Sequence, residues 1–355
     1  MKHSNGFFTA MGHFWHGFLS LPWKRIGLIA LCSILALILI AMIFVTAYAE
    51  YLLGLIKPMT SESTAFSEVT LPSDFTGETI DPSKITTSPE PDVIIDHPDI
   101  LNIMLVGQDR RPGENYRTRS DAMILCTINK RDHTVTLTSF MRDLYVNIPG
   151  HRPYKMNQAY AWGGMTTLSK TMMDNFSVKV DSFIEVDFSG FKDAVNLLGG
   201  VYIELTAAEA EYMNTNPLDG VDSSGWNLKA GMQLLNGDQA LAYSRIRYIG
   251  NADFGRTERQ RKVLNAILDG CRNMDLLQLN NTLTTILPMI STNMSTSTLL
   301  GYASELLPIL PNCTVVNQRI PIDGSYSFAW VGPLDVILAD MELNRQFLID
   351  TLLPN

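Results

Sequence analysis

Beyond about Asp92 the chain alternates between short apolar runs and longer stretches with a helical repeat; before it lie one long apolar run and then a polar stretch. Ile100–Val106 is a compact apolar run closed by Gly107, the pattern of a buried strand. Ala122–Ile128 and Thr134–Phe140 read as two further strands joined by the polar turn Asn129-Lys130-Arg131-Asp132. Asn157–Phe176 has helical spacing, with Gly163-Gly164 as its weak point. Phe183–Val186 returns to strand. Phe188–Leu198 is an amphipathic helix closed by Gly199-Gly200, the residue type that ends helices with positive φ. Val201–Leu205 is again a strand, followed by a loop over about Asn214–Gly225. Gly237–Tyr248, Arg256–Arg272, Thr298–Leu307 and Leu334–Leu353 are expected to be helices. Interleaved strands and helices predict an α/β domain over 92–355, with a mixed sheet covered by helices on both faces.

Ile26–Ala49 is an unbroken run of 24 uncharged residues. As a helix it is long enough to span roughly 30 Å of hydrocarbon, and it exceeds the apolar core of about 7–15 residues usual in a cleaved signal peptide. An uncleaved transmembrane helix over 26–49 is therefore expected. Lys2, Lys24 and Arg25 precede it without any acid, so the head, 1–25, is expected in the cytoplasm and the rest outside the cell. Residues 50–91, rich in Ser, Thr, Pro and acids from Pro58 onward, have the composition of an extended tether.

The net charge is −9, and without the basic head 24 basic residues face 36 acidic ones. That balance excludes the broad basic footprint of a nucleic-acid binder. Within this acidic protein, 11 of the 16 arginines fall in two windows, Arg110–Arg142 and Arg245–Arg261, with aspartates among them. Guanidinium groups are planar, permanently charged forks that match phosphate oxygens two at a time, and neighbouring carboxylates can hold the Mg²⁺ that accompanies a pyrophosphate. The pattern points to a local site for a phosphate-rich, metal-bound substrate. Of the four cysteines, Cys32 and Cys126 read as small buried hydrophobes. Cys271 and Cys313 either pair outside the cell or remain buried thiols.

Asp109 follows a buried strand and its glycine, and Asp121 opens the next strand across a loop containing four arginines. Strand-end aspartates are commonly turn or cap residues, but two on adjacent strands can face one cation. Arg142-Asp143 follows the third strand at the same edge, as a ligand-binding pair or as an ion pair. Arg245 and Arg247 lie two apart, so either the segment leaves helical geometry or only one of them points inward. Arg256, Arg259 and Gln260 share a helical face. Lys155 and Asn157 are weaker candidates, read equally well as a surface lysine and a helix cap. No nucleophile elbow, paired Cys-x-x-Cys or P-loop occurs.

In order along the chain, Gly107-x-Asp109-x-Arg111, Arg119-Ser120-Asp121, Ser139-x-x-Arg142-Asp143, Lys155-x-Asn157-x-Ala159, Leu198-Gly199-Gly200-Val201, Gly237-x-x-Ala240-Leu241-x-Tyr243-x-Arg245-x-Arg247 and Asp253-x-x-Arg256-x-x-Arg259-Gln260 resemble the motifs of the LytR-CpsA-Psr family. The resemblance implies an α/β/α sandwich with an apolar groove for a lipid tail. It also implies an extracellular, membrane-anchored transferase that moves a glycopolymer such as teichoic acid from a polyprenyl-pyrophosphate carrier to peptidoglycan, as a phosphodiester. Carried over by residue, Asp109 and Asp121 would hold Mg²⁺, with Mn²⁺ as the alternative. Arg111, Arg119, Arg142, Arg245, Arg247, Arg256 and Arg259 would bind the pyrophosphate with help from Gln260. Arg142 would act at the reacting group, and Asp143 and Asp253 are candidates for the base that takes the acceptor's proton. Two positions depart from the family pattern: Met141 stands where proline is frequent, a change expected to touch only the loop backbone, and Arg261 where glutamine is frequent. The rival readings are a non-catalytic sensor of polyprenyl phosphates and a lipid pyrophosphate hydrolase.

Overall fold

The computed structural model describes residues 45–58, 93–108, 120–216, 223–272, 284–306 and 312–354, with Ile38, Val221 and Ile309. The chain divides into two compact units, Met1–Leu53 and Gly54–Asn355. In the first, Ile38 and residues 45–53 are helical. The head, most of the apolar run 26–49 and most of the tether lie outside the described residues. Among those that are described, no helix is long and apolar enough to cross a membrane.

The second unit is built on a seven-stranded sheet. Its strands are β1 (Lys57–Pro58), β2 (Ile100–Gln108), β3 (Ser120–Asn129), β4 (Thr134–Phe140), β7 (Ser182–Asp187), β10 (Ile290–Thr292) and β11 (Thr314–Ile320). The order β1-β10-β7-β2-β3-β4-β11 mixes directions: β2 lies antiparallel to β3 and parallel to β7, while β4 is parallel to β11. Short ribbons complete the strand set: β5 (Tyr145–Val146) with β6 (Tyr154–Lys155), β8 (Val201–Leu205) with β9 (Gly231–Leu235), and β12 (Tyr326–Val331) with β13 (Leu334–Ala339).

Alternation along the central strands separates two cores, because successive side chains of a strand point to opposite faces. Met104, Val106, Met123 and Leu125 join one core with helices α1 (Met156–Phe176) and α7 (Met341–Leu352), where Phe140 meets Phe176 edge-on at 4.9 Å. Ile103, Ile124, Val135 and Leu137 face the other core, which takes Leu264 and Leu268 from α5 (Ala252–Arg272) and Leu306 from α6 (Thr296–Leu306). A third core joins β8 and β9 to α2 (Phe188–Leu197), α3 (Ala207–Thr215) and α4 (Gly237–Arg245). The expected layering, a mixed sheet with helices on both faces, is what forms.

Most expected elements appear within one or two residues. α1 breaks helical geometry at Gly163 and Gly164, the point of weakness, and the Gly199-Gly200 helix stop has φ values of 77° and 100°. The tail differs. Leu334–Leu353 was expected as one helix; it is instead strand β13 through Ala339, then a helix started by Asp340, whose Oδ1 accepts from the Leu343 N–H at 3.0 Å. Leu334-Asp335-Val336-Ile337-Leu338 is apolar enough for either state, and pairing with β12 decides it. The tail also supplies edge strand β11, and α3 and β9 fill ground not assigned from the sequence.

Gly237, at the start of α4, lets two helices approach: a Cβ there would stand 2.3 Å from the Lys192 carbonyl oxygen of α2. Gly237→Ala should therefore destabilise the domain by about 1–3 kcal/mol as the backbones separate, measured by urea unfolding. An unchanged midpoint would contradict this close approach.

Candidate functional site

β2, β4 and β7 end, and β3 begins, at one edge of the sheet, because β3 runs antiparallel to its neighbours. Adjacent strand ends at an α/β sheet edge are where ligand loops gather. This edge presents Gln108, Asp121, the Met141–Leu144 turn and Asp187. Two backbone bonds lock the turn after β4: the Met141 N–H donates to the Ile320 carbonyl at 3.0 Å, and the Asn157 N–H donates to the Arg142 carbonyl at 3.2 Å. Met141 is fully buried in the core, so its side chain as well as its backbone shapes the turn, correcting the expectation for this position. Its N–H bond to Ile320 is also one that proline could not make.

Arg142 is the centre of the site. Its Nη1 lies 3.1 Å from Asp121 Oδ1, its Nε 3.2 Å from Asp143 Oδ2 and its Nη2 3.5 Å from Asp253 Oδ2. One guanidinium thus gathers carboxylates from β3, the β4 turn and α5. Three further cations join them. Lys155 Nζ donates to Asp143 Oδ1 at 2.7 Å, Arg247 lies 3.8 Å from both Asp121 and Asp253, and Arg256 Nη1 lies 3.0 Å from Asp253. Four cations against three anions leave a local excess of one positive charge in an acidic protein.

Burial tunes these groups. Desolvation alone would lower the Arg142 pKa, but Asp143, Asp253 and Asp121 outweigh it and raise it. Burial would likewise raise Asp143, yet Lys155 and Arg142 hold that carboxyl below its ordinary value, so it is ionised at neutral pH. Arg256 is only 2% exposed; its Nη1 meets Asp253 as an ion pair without hydrogen-bond alignment, and its Nε has no acceptor. Burial, with Arg142 and Arg247 nearby, brings it down to about 10, leaving it charged. A cation held away from water behind Asp253 projects its field into the site with little screening.

The Arg245/Arg247 puzzle resolves through the first of its two options. α4 stops at Arg245 and Ile246 leaves helical geometry, so Arg247 turns to Asp121 and Asp253 while Arg245 stacks on the Phe188 ring at 4.5 Å. Arg256 and Arg259 separate. Arg259 donates through Nε to Glu209 Oε1 at 2.7 Å, through Nη1 to the Ile246 carbonyl at 3.2 Å and through Nη2 to the Ile249 carbonyl at 3.1 Å. Gln260 is half-buried on α5. Arg261 is buried too, its Nη1 without an acceptor, and burial takes it down to about 10. Asp109, Arg111 and Arg119 lie outside the described residues.

Lys155, weak from sequence, proves integral to the cluster. Glu209 was missed altogether, although the capping box Thr206-x-x-Glu209 that starts α3 could have been read. Cys126 is a half-buried thiol that desolvation pushes up to about 12, hence unreactive. Cys313 is buried and donates to the Ile309 carbonyl; the Cys271 side chain lies outside the described residues.

The metal expectation can be tested on Asp121. Arg142 and Arg247 both approach its Oδ1, leaving Oδ2 for a cation. Among the described residues no group of three or more acidic, His or Cys side chains forms a metal cage. Mg²⁺, however, is usually held by one or two carboxylates plus substrate phosphate and water, so this donor set fits it.

An arginine-centred cluster at the edge of a mixed sheet flanked by helices defines an α/β protein with a cationic site at its strand ends. The LytR_cpsA_psr family profile matches residues 69–334, and the chain belongs to that family. It is 34% identical over 234 residues to the polyisoprenyl-teichoic acid–peptidoglycan teichoic acid transferase TagU of Enterococcus faecalis, spanning 64% of this chain and 70% of that protein. It is 35% identical over 179 residues to TagT of Bacillus subtilis, a transferase of the same description, spanning 50% of this chain and 54% of that one. The solved structure of TagT bound to LIIa-WTA superposes with a TM-score of 0.59 at 26% identity, covering 80% of this chain and 99% of that one.

Proposed function

We propose that the chain transfers a wall glycopolymer, of the teichoic acid class, from a polyprenyl-pyrophosphate carrier to peptidoglycan. The Arg142 cluster carries this reading. In phosphoryl transfer most of the catalytic work is positioning and charge stabilisation, which clustered arginines supply. The acceptor hydroxyl oxygen bonds to the phosphorus that bears the polymer. The P–O bond to the lipid phosphate breaks, and its electron pair leaves with polyprenyl monophosphate. The hydroxyl proton passes to a carboxylate, Asp143 or Asp253. Arg142, Arg247 and Arg256 stabilise the charge that develops on the leaving phosphate, and Lys155 keeps Asp143 ionised and oriented. Bound Mg²⁺, or Mn²⁺, would neutralise the pyrophosphate further, held by Asp121 through its second oxygen and by Asp109. Arg111 and Arg119 are assigned to the phosphate side, with Arg245 beside them.

The polyprenyl tail is placed against the sheet face where Leu105, Ile184, Leu264, Leu268 and Tyr302 are only half-buried, an apolar surface that a lipid chain would cover. Residues 26–49 are the proposed membrane span, with the head inside and the domain outside the cell.

The test uses the full chain in detergent with a lipid-linked oligosaccharide and a peptidoglycan acceptor. Asp121→Ala should lower transfer by about 10²-fold or more, and chelation should silence the wild type until Mg²⁺ returns. Wild-type activity in chelator would remove the metal. Release of free polymer without acceptor would make the protein a hydrolase, and lipid binding without turnover a sensor.

A further inference from the structure

Beside the arginine cluster lies a cavity of about 500 Å³, within the roughly 300–1,000 Å³ range of small-ligand sites. Asp143 and Asp253 line it on the cluster side, and hairpin β12–β13 lines it opposite. Three rings form one wall. Phe254 stacks on Tyr326 at 5.1 Å and 27°, and Phe328 stands edge-on to both, at 6.3 Å and 5.7 Å. Phe328 is 67% exposed, and Phe254 and Tyr326 beside it are only half-buried, so the hairpin presents an accessible aromatic face.

The polar lining sorts possible ligands by charge. Four carboxylates, Asp143, Asp253, Asp323 and Asp335, meet one basic residue, Arg319, which is itself stacked on Phe254 at 4.4 Å and bonded to Asp323. Asp143 and Asp253 are already paired with the cations of the cluster, and Arg319 with Asp323, so this lining holds no spare cation for a phosphate. It suits a ligand with many hydroxyl donors and an apolar flank. A pyranose ring offers both: its hydroxyls donate charge-assisted bonds to carboxylates, and its C–H edges carry the partial positive charge that aromatic faces attract.

We infer that this cavity binds the acceptor sugar ring, with Tyr326, Phe328 and Phe254 as its stacking wall and Asp335 as a hydroxyl acceptor. The inference rests on the proposed transfer reaction and adds to it the place of the second substrate. Asp143 and Asp253 border both the cavity and the arginine cluster, so a ring hydroxyl here faces phosphorus held there. The order of parts follows: the arginine cluster holds the anionic donor, and the aromatic and carboxylate lining holds the hydroxyl-bearing ring of the acceptor.

The full chain is assayed in detergent with saturating lipid-linked donor and a β-1,4-linked N-acetylglucosamine–N-acetylmuramic acid oligosaccharide as acceptor. Phe328→Ala, at an exposed position safe for folding, should raise the acceptor KM about tenfold and leave the donor KM unchanged, with Phe328→Trp restoring it. Asp335→Asn should raise the acceptor KM less. An unchanged acceptor KM in both Phe328→Ala and Asp335→Asn, with a transferring wild type, overturns the inference. A wild type that transfers nothing overturns the proposed reaction instead. Direct oligosaccharide binding, measured by saturation-transfer NMR on wild type and Phe328→Ala, then decides the sugar site: loss in the variant supports it, and equal signals or none overturn it.

Discussion

Arg142→Ala should reduce transfer by about 10³-fold or more while the domain stays folded, the magnitude seen when a single arginine stabilising a phosphoryl transition state is removed. The reason is the number of partners one side chain serves. Arg142 alone touches Asp121, Asp143 and Asp253, which come from three separate elements. Without it, Asp143 keeps Lys155, Asp253 keeps Arg256 and Asp121 keeps Arg247, so each of the three carboxylates remains paired and the fold is spared. The cluster's charge, however, falls from one excess cation to none, and the fork that would grip two phosphate oxygens is gone. Arg142→Lys should recover little, because an ammonium is a point charge without the planar fork. Rapid-quench turnover with saturating donor and acceptor measures the effect. More than a tenth of wild-type turnover in Arg142→Ala would show that the cluster is a structural ion network.

Why the sequence disclosed this hub and hid other parts follows from chemistry. Strands β2, β3 and β4 are runs of β-branched and apolar residues flanked by turns, and the ends of β3 and β4 place Asp121, Arg142 and Asp143 together as soon as those two strands pair antiparallel. The tail offered no such contrast. Thr314-Val315-Val316-Asn317-Gln318-Arg319-Ile320 is a half-polar edge strand whose state depends on β4 beside it, and β13 depends on β12. Both are decided by partners far away or across a turn, which local periodicity does not register. The aromatic wall escaped for the same reason: Phe254 and Tyr326 are distant in sequence and meet only because α5 and the hairpin converge. Lys155 looked like a surface lysine until strand β6 paired with β5 and aimed it at Asp143.

Arg259 separates what a shared motif implies from what this fold does with it. Arg259→Ala should cost about 3–5 kcal/mol, since removing one partner strands a buried charge, and lower Tm by roughly 5–15 °C. Glu209 and Arg259 are both buried, and the Glu209 carboxyl, which burial would raise, is held below its ordinary value by the Thr206 N–H and hydroxyl and by Arg259. In the wild type that depressed value stabilises the fold above the unfolded pKa of about 4.3, and this stabilisation is lost as pH falls through the folded one. Without Arg259 only the Thr206 N–H and hydroxyl oppose the desolvation of Glu209, so the depression shrinks and the variant gains less stability than the wild type as pH climbs past about 4.3. The gap between variant and wild type should therefore widen from pH 4 to pH 7 in thermal melts, and Arg259→Met with Glu209→Leu should close most of it. Arg259 also caps the carbonyls of Ile246 and Ile249, which flank Arg247, so donor affinity should fall only in step with the loss of order in that loop. An Arg259→Ala protein with unchanged Tm and no donor binding would place this guanidinium on the substrate after all, among the pyrophosphate ligands that the family resemblance implies.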